Sequence, residues 1–124
     1  IYNQFQINNT LLLRLKHSNE KIRVETIKVL DYFQANEAKD IIKIDFIKRS
    51  EDEQIAFFEM LENVLEKSDE NFIIAQVQHA NFRIKTLALK HLQTIDSDYL
   101  AVFKKNNKNP EDRLIFNYLE NIYG

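Results

Sequence analysis

Apolar residues recur along this chain at helical steps. Ile22, Ile27, Leu30 and Phe33 fall three to five residues apart, on one face of a helix that Ser18 or Asn19 can cap. A helix of this kind, B, follows a preceding helix A, and the pattern predicts four such pairs. The first A helix covers roughly residues 4–16, with Phe5, Leu11, Leu12, Leu13 and Leu15 as apolar positions, and its B helix reaches about Phe33. Asn36 can open the second A helix, which runs to about Arg49 with Ile41, Ile42, Ile44, Phe46 and Ile47 inside. Ser50-Glu51-Asp52-Glu53 reads as a capping box, and the second B helix follows to about Lys67. Ser68 or Asp69 opens a shorter A helix over 70–78, and the third B helix spans about 81–94. Ser97 or Asp96 opens the fourth A helix. Asn109-Pro110-Glu111-Asp112 then starts the last B helix: a capping Asn, Pro at the first helical position, and acids at the positive end of the dipole.

The B helices repeat one another. IRVETIKVL (22–30) returns as FRIKTLALK (82–90), with IAFFEMLEN (55–63) between them and DRLIFNYLE (112–120) after them. The starts lie 33, 27 and 30 residues apart, a period that marks an α-solenoid. Superposing the copies yields three columns: Val24, Phe57, Ile84 and Leu114; Tyr32, Leu65, Leu92 and Ile122; and Ile27, Met60, Leu87 and Asn117. Apolar columns imply that each pair buries its face against the next. Asp112 and Asn117 in the last copy read as an end cap with a polar outer face. The fold expected is all-α, a right-handed solenoid of about four helical pairs forming one domain over 1–124.

Composition narrows this further. One glycine and one proline in 124 residues are too few for the tight turns of sandwiches and barrels. Hydrophobic residues at 44% and charged residues at 29% suit a soluble globular core. A net charge of −2, with both signs interspersed, weighs against a generic nucleic-acid binder. There is no cysteine, so disulfides, thiolate metal sites and thiol nucleophiles are excluded. No apolar run approaches the ~20 residues needed to span a bilayer. The chain begins at Ile1 and reads as a piece of a longer protein. Its expected compartment is the cytoplasm, or the aqueous side of a membrane to which a segment outside this chain tethers it.

Ile22-Arg23, Phe82-Arg83 and the Arg113 of Asp112-Arg113-Leu114 stand near the start of helix B. In this the chain resembles the HEAT-repeat family, particularly its short bacterial HEAT-like members, which carry Val-Arg there. The second copy departs from the pattern with Ala56. The family's turn Asp is replaced by Ser18, Glu51, Gln78 and Lys108. An Asp–Arg ladder is therefore largely missing, and packing between pairs is expected to rest on the apolar columns. The resemblance implies a binding scaffold.

Candidate chemistry is sparse. His17, His79 and His91 are not paired at i, i+4, and no His-Glu-x-x-His occurs, so no metal site is expected. Glycine-rich phosphate loops and nucleophile elbows are excluded, because the only glycine is Gly124. Carboxylates fall in first turns or near lysines, placements with structural explanations. Lys104, Lys105 and Lys108 have two readings, a contact for phosphate or anionic lipid headgroups and, the favoured one, a solvated loop at a helix C-terminus. The expectation is a non-enzyme without cofactor that binds a protein partner on the face lined by the B helices. Glu25, Lys28, Phe58, Lys85 and His91 are its candidate contacts, with Asp31 and Tyr118 in the same outward columns. Phe58 has two readings: Phe57 fills the core while Phe58 reaches the surface, or the helix buries both. Lys85, read as outward, is expected to tolerate alanine within about 0.5 kcal/mol. The rival readings are a DNA-gripping module of the alkylpurine glycosylase type, a HEAT-like subunit handling bilins, which no residue here supports, and a membrane-tethered soluble domain.

Overall fold

The computed structural model describes residues 4–33 and 35–123. Among these described residues eight α-helices follow one another: α1 (Gln4–Arg14), α2 (Glu20–Tyr32), α3 (Glu37–Ile44), α4 (Glu51–Val64), α5 (Glu70–Ala75), α6 (Phe82–Ile95), α7 (Asp98–Asn106) and α8 (Pro110–Tyr123). No strand occurs among the described residues. The even-numbered helices are the predicted B helices. The chain divides into two compact units, Ile1–Leu65 and Glu66–Gly124, each holding two A/B pairs.

The polar residues between helices set the boundaries. Ser50 and Glu53 form the reciprocal capping box: the Glu53 N–H donates to Ser50 Oγ at 3.2 Å, and the Ser50 N–H to Glu53 Oε1 at 3.3 Å. Asn19, Asn81 and Asn109 cap α2, α6 and α8 through their side-chain oxygens. Asn36, Ser97 and Asp69 make no side-chain cap, and at the start of α7 it is Asp96 that accepts, from the Asp98 N–H at 2.9 Å. Instead Asp69 is fully buried in a 3₁₀ turn, Lys67–Asp69, where it accepts from the Glu66 N–H at 2.9 Å.

In unit 1, α1 packs on α2 and α3, and α2 makes the most extensive helix–helix contact of the described chain with α4. The expected second A helix does not run to Arg49. It ends at Ile44, Asp45 turns the backbone, and a 3₁₀ turn takes over Phe46–Lys48. Three residues per turn in place of 3.6 change the phase of the side chains. Phe46 therefore goes inside, while Ile44 and Ile47 point out. Phe46, Phe57 and Phe58 meet with ring centroids 5.7–6.2 Å apart, tilted or edge-on as their quadrupoles prefer. Gln54 donates to the carbonyls of Phe46 and Arg49, satisfying the end of the turn. Lys39 reaches the Val64 carbonyl at 2.7 Å, a cation at the negative end of α4.

The Asp–Arg ladder between pairs is expected to be largely missing; in its place stand other ion pairs, one of which uses the motif arginine Arg23. Glu53 is wholly buried at the start of α4. Arg23 of α2 approaches it at 3.1 Å and Arg49 at 2.8 Å. Arg49 also binds Asp45 and the Leu15 carbonyl, and Arg23 binds the His17 carbonyl. This cluster joins the end of α1 to α2, the turn after α3, and α4. Burial would raise the Glu53 pKa, but hydrogen bonds from Arg23, Arg49 and the Ser50 N–H, with the Arg23 charge, hold it below its usual 4.5. In unit 2 the corresponding link is Lys85 of α6 to Asp112 of α8 at 2.8 Å. Asn107 donates to the other Asp112 oxygen.

The columns hold unevenly. Ile27, Met60 and Leu87 are buried, and Asn117 is exposed. Phe57 and Ile84 are buried and Val24 is half-buried, but Leu114 is 65% exposed. Of the remaining column only Leu92 is buried, with Tyr32 and Ile122 exposed. Asp112 is not part of a polar outer face, because its pairing with Lys85 draws it inside. Ala56, in the register of Arg23 and Arg83, is buried, so an arginine there would place its stem in the core.

Candidate docking groove

In unit 2, α6 packs between α5 and α7, and α8 rests on α7. Tyr99 of α7 donates to the Glu70 carboxylate at the start of α5, and its ring stacks on Phe103 at 5.9 Å. The Glu70 hydrogen bond first, then burial and the charges of Glu70 and Asp96, push the Tyr99 pKa up to about 12. α8 is anchored by its first turn and its inner face. Asp112 meets Lys85, while Ile115, Phe116 and Leu119 are buried. On the surface Lys104 pairs with Glu120 at 2.8 Å.

Between the first turn of α6 and the second and third turns of α8 an open groove of about 300 Å³ remains. Phe82, Arg83 and Thr86 line one wall, and Leu114, Ile115 and Tyr118 the other. Phe82, Leu114 and Tyr118 are at least half exposed, although each carries a large apolar surface. The Thr86 hydroxyl donates to the Phe82 carbonyl at 2.8 Å, so its hydrogen bond stays within the helix. The groove therefore offers apolar and aromatic area beside one guanidinium. Among the described residues, no group of three His, Cys, Asp or Glu side chains could hold a metal ion. No described helix is long and apolar enough to cross a membrane.

The five candidate contact residues do not share one exposed face. Glu25 and Lys28 are exposed on α2 and pair with each other at 3.4 Å. Phe58, Lys85 and His91 are buried, which corrects the outward placement of all three. For Phe58 the reading in which α4 buries both aromatics is the one observed. Lys85 and His91 lie inside because α6 is covered by helices on two sides and buries every residue from Ile84 to Leu89. Asp31 is half-buried and accepts from the Asn63 amide at 2.6 Å. Tyr118 is exposed, as its column predicts.

The repeat pattern accounts for Phe82 and Leu114 without placing either on a surface. The signal that separates Leu114 from the core is a second stripe on α8. Leu114, Tyr118 and Ile122 recur every four residues on a line distinct from that of Ile115 and Leu119. Set against family models, curated proteins and solved structures, the chain matches none of them.

Proposed function

We propose that this chain is a non-catalytic protein-binding scaffold of HEAT-like helical pairs. It takes its partner on the surface of the B helices, and the α6–α8 groove is the seat of that contact. The observation that carries this reading is the exposure of Phe82, Leu114 and Tyr118 around one apolar groove. Clustered exposed apolar and aromatic side chains are what interface cores are made of. Glu25 and Lys28 on α2 belong to the reading as polar contacts that tune encounter.

A photo-crosslinking amino acid placed at Tyr118, with the same group at Glu120 as a control, tests it in source cells. The reading expects a discrete protein adduct from position 118 that Leu114→Asp abolishes while the melting temperature stays within a degree or two. The same adducts from both positions, or none from 118, would overturn it. A salt-dependent mobility shift with duplex DNA would put the nucleic-acid reading in its place.

A further inference from the structure

We draw no further inference here: the strongest candidate, the exposed Leu114–Tyr118–Ile122 stripe of α8, adjoins the docking groove already described, and nothing in the structure shows what covers it.

Discussion

Each unit brings two B helices together, yet one seam is filled and the other is open. In unit 1, Phe57, Phe58 and Leu61 of α4 are all fully buried. In unit 2 the repeat places Leu114, Ile115 and Tyr118 of α8 at those positions, and only Ile115 is buried. The preceding turn explains much of the difference. Phe46, eleven residues before Phe57, is carried inward by its 3₁₀ turn and packs on both phenylalanines. Phe103, eleven residues before Leu114, stays in the regular helix α7 and stacks on Tyr99. The carboxylates differ too. Glu53 draws in two arginines, whereas Pro110 stands at the matching position of α8 and the seam is tied two residues later by Asp112 and Lys85. One repeat can thus give a sealed interface or an exposed groove, according to a few side chains outside its apolar columns.

The comparison breaks most visibly at Glu53. Glu53→Ala removes the carboxylate that Arg23 and Arg49 share and leaves Asp45 as the acid beside Arg49, and removing one partner of a buried ion pair costs about 3–5 kcal/mol. Urea unfolding of this variant should show the largest loss of any substitution in the seam. A shift under about 1 kcal/mol would mean that the cluster is dispensable. In unit 2, Lys85→Ala removes the partner of buried Asp112 and should cost about 3 kcal/mol. That places it in the range of Leu87→Ala, about 2–5 kcal/mol, rather than in that of a surface change. A loss below about 0.5 kcal/mol for Lys85→Ala would restore the outward reading.

The two units also separate on the pH axis, at Glu53 in unit 1 and at Tyr99 of α7 in unit 2. The Glu53 pKa is lower in the folded than in the unfolded chain. Its contribution is therefore present above the unfolded value of 4.5 and is lost as pH falls through the folded value. Glu53→Gln should remove that acid-side loss, read as urea midpoints between neutral pH and pH 3. An unchanged slope would show that other carboxylates carry it. Tyr99 runs the opposite way. A raised pKa means stability complete below 10 and lost as pH rises toward about 12. Ultraviolet titration of wild type against Tyr99→Phe should show one tyrosine ionising near 12. The smallest effect belongs to the open seam: Leu114→Ala should stay within about 0.5 kcal/mol, as for an exposed site.

Much of the fold was legible in the chain. The eight helices follow from periodicity, and Asn19, Ser50 and Asn109 mark starts because each offers an oxygen to a first-turn N–H, as Asn81 also does although the pattern does not single it out. The break at Asp45 was not legible, since the apolar spacing of Ile41 to Ile47 suits a continuous helix and only tertiary packing of Phe46 selects the turn. The surface was least legible. Lys85 and His91 have polar side chains, and a polar residue at a B-helix position reads as outward. Lys85 is buried because a carboxylate 27 residues away meets it, and no local pattern announces such a pairing. Leu114 fails in the opposite direction: its apolar column predicts burial, and no side chain arrives to cover it.

The central claim, a sealed seam in unit 1 and an open one in unit 2 at the same repeat position, can be read directly because the chain contains no cysteine. Phe57→Cys and Leu114→Cys would each introduce a single thiol, and their reaction with a maleimide would be timed under native conditions. The account predicts that the thiol at 114 reacts at close to the rate of a free thiol, while the thiol at 57 reacts only as fast as the protein opens. Equal rates at the two positions, or faster reaction at 57, would contradict it.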